Sequence, residues 1–98
     1  MKTRVFEYPA TLKSGRRAHV GVVSSGDLEM LLVPSNQPRA RIEVRTSVEG
    51  FEKTWERILV RFFTVHDIAA DITINDFGAT PGVVLLRLQQ VMEVSKTQ

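Results

Sequence analysis

Residues 20–32 read VGVVSSGDLEMLL, two apolar runs flanking the polar cluster Ser24-Ser25-Gly26-Asp27. A serine that acts as a nucleophile needs a histidine base and an oxyanion hole. The spacing offers neither, and SSGD lacks the strand–elbow–helix context of GxSxG. Serine, glycine and aspartate are also the residues that tight turns favour. The cluster therefore reads as a hairpin tip, or as a tip whose serine is modified by another enzyme, which needs accessible backbone to grip.

The other chemically suggestive residues carry less. Asp76-Phe77-Gly78 matches the magnesium-binding element of kinases, but the chain has no glycine-rich phosphate loop, no HRD and too little length for that fold. A strand ending in a turn before a helix is the expected reading. His19 and His66 stand far apart, neither with a metal-ligand neighbour at suitable spacing, so no metal site is expected. Glu43, Asp71 and Asp76 form no pair suited to general acid–base work. Arg16, Arg17, Arg39, Arg41 and Arg45 would make a basic face if their strands were neighbours; otherwise they belong to a solvated sheet face.

Composition narrows the class. Ninety-eight residues suit one domain, spanning 1–98. Thirteen basic against eleven acidic residues leave a net charge of +2, too little to argue nucleic-acid binding. The chain has no cysteine, which excludes disulfides, zinc–thiolate sites and cysteine nucleophiles. MKTRVFEYPA has no apolar core of signal-peptide length and no apolar run reaches membrane-spanning length. The expectation is a cytoplasmic protein without direct membrane contact.

The elements that would position these residues follow from periodicity. Val5–Tyr8 suits a short edge strand, residues 17–23 a strand with Val20 and Val22 on one face, and residues 28–33 its hairpin partner. PSNQPRA at 34–40 reads as a loop. ARIEVRTSV alternates cleanly, Ala40, Ile42, Val44 and Thr46 against Arg41, Glu43 and Arg45, as in an antiparallel sheet with one wet face. Phe51, Trp55, Ile58, Leu59 and Phe62 then fall on a helical stripe, with Thr46 or Ser47 as its cap and Trp55 in the core. A strand at 71–76 places Ile72 and Ile74 inward. Thr80 caps a last helix that starts at Pro81, with Val84, Leu88, Val91 and Met92 on its stripe. Residues 83–88 alternate enough to suit a strand too, but Gln89–Val94 continues the helical stripe. The predicted fold is α+β: a small sandwich of a mostly antiparallel sheet of about four strands with two helices on one face.

These residues resemble a known family. VGVVSSGDLEMLL is similar to the modification segment of the acyl carrier subunit of malonate decarboxylase. VRTSVEG at 44–50 followed by Trp55, and INDFGATPGVVLLRLQQ at 74–90, resemble later blocks of that subunit. The likeness covers roughly residues 17–32, 42–63 and 71–94 and is weak over the first fifteen. The acyl carrier subunit of citrate lyase is a more distant relative with a similar serine-glycine-aspartate turn. DFGATPG and the Trp55 block favour the malonate family.

The resemblance implies a carrier rather than a catalyst, with an α/β sandwich and not the helical bundle of fatty-acid carriers. The serine directly before Gly-Asp, here Ser25, would be joined through a phosphodiester to 2'-(5''-phosphoribosyl)-3'-dephospho-CoA, a phosphopantetheine-like group. Gly26 and Asp27 would shape or mark the site, and Ser24 is a neighbour. The thiol missing from the chain would then belong to the prosthetic group. A transferase subunit would exchange acetyl for malonyl on it, and a decarboxylase subunit would regenerate acetyl. The implied partners are those two subunits and the holo-carrier synthase that attaches the group. Arg16, Arg17, Arg41 and Arg45, if close to the hairpin, could meet acidic partner surfaces or cofactor phosphates. The readings left beside this one are a citrate-lyase-type carrier and a small non-covalent binding or regulatory module. RNA is a poor ligand for the latter, since five Phe, one Tyr and one Trp give the strands no stacking pair.

Overall fold

The computed structural model describes residues 2–12, 15–20, 28–46 and 52–96. Their order is β1 (Lys2–Pro9), β2 (Ala18–Val20), β3 (Leu28–Pro34), β4 (Arg39–Thr46), α1 (Glu52–Val65), β5 (Ala70–Asp76) and α2 (Pro81–Lys96). The strands form one sheet in the order β1-β4-β5-β3-β2. All pairings are antiparallel except β4 with β5, which run parallel. A parallel neighbour requires a crossover connection, and α1 supplies it. The fold is the expected α+β arrangement, with five strands where about four were predicted.

Alternation builds the core. In register, Ala40, Ile42 and Val44 of β4 face Ala70, Ile72 and Ile74 of β5, which face Leu32 and Met30 of β3. All are buried, as are Ala18 and Val20 of β2. Trp55, Ile58, Leu59, Phe62 and Phe63 of α1 and Val84, Leu88, Val91 and Met92 of α2 cover this face. α2 touches β2 and β3, α1 reaches toward β1, and the two helices meet. The α2 stripe is the predicted one, and residues 83–88 are helical. Thr80 does cap α2, its Oγ1 accepting from the Val83 N–H at 3.3 Å.

Two details differ from the sequence reading. β1 is eight residues long rather than a short strand at 5–8. Only Phe6 and Tyr8 are half-buried in it, the Tyr8 ring stacking on Phe63 at 5.6 Å. Burial and the nearby Glu56 raise the pKa of the Tyr8 phenol. Pro34 belongs to β3 and Arg39 to β4, which shortens the 34–40 loop. α1 is described from Glu52 and Thr46 is the last residue of β4, while Ser47 and Phe51 lie outside the described residues.

The segment after β1 is tied to the α1–β5 connection. Asp67 accepts from the Thr11 N–H at 2.6 Å and from the Thr11 hydroxyl. The Ala69 N–H donates to the Leu12 carbonyl. These Thr11 bonds hold the Asp67 carboxyl below its ordinary range. A lowered folded-state pKa stabilises above the unfolded value, and that stabilisation is lost as pH falls through the folded value. Glu29 is lowered too, by hydrogen bonds from His19 and Asn75, with the same sign. Melting temperature should therefore fall on acidification below about pH 5, and Asp67→Asn should flatten that fall. An unchanged acid slope in the variant would contradict the assignment.

At the far end of α2, Ser95 is fully buried, and among the described residues its Oγ has no hydrogen-bond partner. An unsatisfied buried hydroxyl is costly, so Ser95→Ala should stabilise by about 1 kcal/mol. Calorimetry should show this as a rise of roughly 4–8 °C; a lower melting temperature would show that the hydroxyl has a partner.

Candidate functional site

Ser24, Ser25, Gly26 and Asp27 all fall in the segment 21–27, outside the described residues. The structure does describe what holds that segment at both ends. β2 pairs antiparallel with β3, Ala18 opposite Leu32 and Val20 opposite Met30. Val20 and Leu28, the residues that flank the segment, thus lie toward the same end of the sheet. Leu28 and Met30 are fully buried, and β3 is backed along its length by β5, with Leu28 opposite Asp76. The predicted pairing of the two flanking runs is therefore present.

Beside Leu28, β5 ends in a turn organised by one buried carboxylate. Asp76 Oδ1 accepts from the N–H groups of Gly78 at 3.0 Å and Ala79 at 2.9 Å. Its Oδ2 accepts from the Thr46 hydroxyl at 2.9 Å, joining the ends of the parallel strands β4 and β5. Gly78 has φ +114°, a backbone conformation open to glycine and costly for other residues. Asp76-Phe77-Gly78 is thus a strand-ending turn, as the sequence suggested, and Asp76 is 3% exposed. Between this turn, the start of α2 and α1 lies a cavity of about 70 Å³. Trp55, Ile58, Ala79 and Val84 form its apolar wall, and Asp76 and Thr54 its polar border. Sequence reasoning assigned Trp55 to the core, which it joins, but gave no sign of the cavity, because three separate elements build it.

The open face of the sheet carries the charges. His19 Nε2 lies 2.8 Å from Glu29 Oε2, and Asn75 Nδ2 donates to Glu29 Oε1 at 3.0 Å. Arg39 pairs with Asp71 at 2.9 Å and Arg45 with Glu43 at 2.7 Å. Arg41 lies between Glu7 and Glu43 at 3.9 and 3.8 Å. The basic face that neighbouring strands would have made is not assembled, and Arg39, Arg41 and Arg45 belong to a mixed-charge sheet face. β5 and β3 separate β4 from β2, so Arg41 and Arg45 stand three strand spacings, roughly 14 Å, from the strand that follows Arg16 and Arg17. Carboxylates also alternate with these arginines.

Among the described residues neither histidine side chain hydrogen-bonds a serine. The ring of His19 is engaged with Glu29. His66 is half-buried, stacked on Phe62 at 4.2 Å, and precedes β5, whereas Leu28 pairs with the last residue of that strand. Seven residues of β5, roughly 20 Å, lie between. Among the described residues no group of three His, Cys, Asp or Glu side chains is placed to hold a metal ion.

The Asp76 turn yields a stability test. Asp76→Ala leaves the Thr46 hydroxyl and two backbone N–H groups without their acceptor, and should cost roughly 2–4 kcal/mol in urea denaturation. Asp76→Asn keeps one acceptor oxygen and should cost about half as much. Equal stability of all three proteins would remove the carboxylate from its assigned role.

Comparison with known proteins agrees with this architecture. The family model described as "ACP: Malonate decarboxylase delta subunit (MdcD)" matches residues 15–95. The malonate decarboxylase acyl carrier protein of Azotobacter vinelandii is 48% identical over 94 residues, 95% of each chain. Those of Pseudomonas paraeruginosa and Pseudomonas fluorescens are each 49% identical with the same coverage. A chain in the crystal structure of a Pseudomonas malonate decarboxylase hetero-tetramer in complex with malonate superposes with a TM-score of 0.89. It shares 47% identity over 96% of this chain and 98% of that one. The chain belongs to the malonate decarboxylase acyl carrier, or delta subunit, family.

Proposed function

We propose that this chain is a single, non-catalytic acyl carrier domain whose Ser25 holds phosphoribosyl-dephospho-CoA through a phosphodiester. One observation carries the reading: in a chain of this family, the segment with Ser25 joins two paired strands whose inner residues are buried. Serine offers the hydroxyl that such a linkage needs. Bound there, the group supplies a thiol, carrying acetyl or malonyl as a thioester, to a chain with no cysteine of its own.

The chain's contribution is mechanical. The β2–β3 ladder, held by β5, fixes Val20 and Leu28, the two described residues between which the Ser25 segment runs. A tethered acyl group then samples nearby sites at an effective concentration on the order of millimolar. Gly26 and Asp27 complete the motif that the attaching synthase would recognise. The crystal structure of the Pseudomonas relative is a hetero-tetramer with malonate, which supports partners of the same kind here. In this reading those are a transferase subunit that exchanges acetyl for malonyl and a decarboxylase subunit that releases carbon dioxide. Among the described residues no helix is long and apolar enough to cross a membrane. The proposed location is the cytoplasm, where a synthase would modify the chain.

Intact mass and peptide mapping on protein from its native host test the attachment. A mass increment equal to phosphoribosyl-dephospho-CoA, placed on Ser25, is expected, and Ser25→Ala should lack it and carry no acyl group. An unmodified Ser25 in protein co-produced with the modifying enzymes would sink the reading.

A further inference from the structure

We propose that the cavity between Trp55, Ile58, Ala79 and Val84 is a seat for the neutral acetyl end of the carrier's own thioester, and that it rejects the malonyl form. The inference rests on the Ser25 reading for its biological meaning, but the seat itself is a property of described residues.

Size and reach come first. About 70 Å³ is room for several waters, hence for one small acyl group and not for an adenine ring. Three Cα-to-Cα steps lead from Ser25 to Leu28 and span at most roughly 11 Å. Leu28 lies opposite Asp76, about 5 Å away across the ladder. The cavity border is therefore within about 16 Å of the attachment residue, closer than the extended length of the proposed arm.

Chemistry then selects the occupant. Trp55, Ile58 and Val84 are at most 9% exposed and give an apolar wall that suits a methyl group. Thr54 brings a hydroxyl to the border, able to donate to a thioester carbonyl. Asp76 stands on the same border with both oxygens already accepting hydrogen bonds. A malonyl group is only slightly larger, but it carries a carboxylate. Seating it would desolvate that charge among apolar side chains and bring it toward the charge of Asp76. Charge, not volume, is the discriminator. The resting acetyl form would be withdrawn from solvent while the malonyl form stays outside, available to a partner. Tethering makes a weak seat sufficient, because an effective concentration on the order of millimolar fills a site of millimolar affinity.

The test needs no attached group. Trp55 is the chain's one tryptophan, so its indole N–H gives a single resonance that reports on the cavity. The full-length unmodified protein is titrated with S-acetylpantetheine and, separately, with S-malonylpantetheine. The seat predicts a saturable shift of the Trp55 indole with a Kd on the order of millimolar for the acetyl compound. It predicts at least about tenfold weaker binding of the malonyl compound. Ala79→Leu, which fills the cavity, should abolish the shift, and Thr54→Val should weaken it several-fold. No saturable shift in the wild-type protein, or equal shifts with both compounds, overturns the proposal. The wild-type titrations decide this even if Ala79→Leu fails to fold. They are also separate from the mass measurement on Ser25, which alone decides the attachment.

Discussion

The parallel pairing of β4 with β5 is the constraint on which the remaining architecture depends. Two strands that run side by side in the same direction cannot be joined by a turn. The chain between them must cross one face of the sheet, and α1 does so with Trp55, Ile58, Leu59, Phe62 and Phe63 turned inward. That crossing places β5 at the centre, between β4 and β3, with Ala70, Ile72 and Ile74 almost wholly buried. Each buried aliphatic side chain contributes about 1.5–3 kcal/mol, more than any exposed ion pair of the outer face. The Thr46–Asp76 hydrogen bond closes the parallel pair at one end. From the same carboxylate the chain turns into α2, which covers the remaining half of the sheet over β2 and β3.

For a carrier, the consequence is how each flank of the Ser25 segment is held. β3 is paired on both edges, by β5 and β2, and its inner residues Leu28, Met30 and Leu32 are fully buried. β2 is only three residues long and lies at the sheet edge. The Ser25 segment thus leaves from the end of a short edge strand and returns into a buried inner one. Its return point, Leu28, is the better anchored of the two, and it adjoins the Asp76 turn. Anchoring on that side is what would let the proposed seat bear on a group carried by Ser25. A segment returning to an exposed strand would have no fixed relation to α1 or α2.

How much of this was legible in the sequence depends on where each element sits. The alternation of Ala40–Thr46 and the stripe of Trp55, Ile58, Leu59 and Phe62 are plain because each has one buried and one wet face. Thr80 and Pro81 announce α2 because capping is local chemistry. Residues 83–88 are ambiguous in sequence because α2 carries Leu85 and Leu86 on its exposed side, blurring its stripe. β1 shows almost no period, since an outermost strand with only Phe6 and Tyr8 half-buried has little apolar pattern to display. The β4–β5 pairing is non-local and leaves no mark on either segment. Thr46 suits a helix cap by residue type, and only the strand register, which sets it opposite Asp76, shows its other use. Of the candidate site, Ser25 was named by the family resemblance and lies outside the described residues, whereas the cavity depends on three elements meeting and has no linear signature.

The same register explains why the open face is poor ground for charge-driven association. Arg39, Arg41 and Arg45 project from β4, but Glu7, Glu29, Glu43 and Asp71 share that face. Each arginine lies near a carboxylate, and His19 near Glu29. Such pairs add little stability, typically about 0–1 kcal/mol each, and less in salt. They also cancel the field that would steer a distant partner, which needs charge of one sign over a surface. Opposite charges alternating at strand spacing leave a short-range pattern instead, legible only to a surface already in contact. Electrostatics on this face can set register with a partner but cannot draw the partner in from a distance.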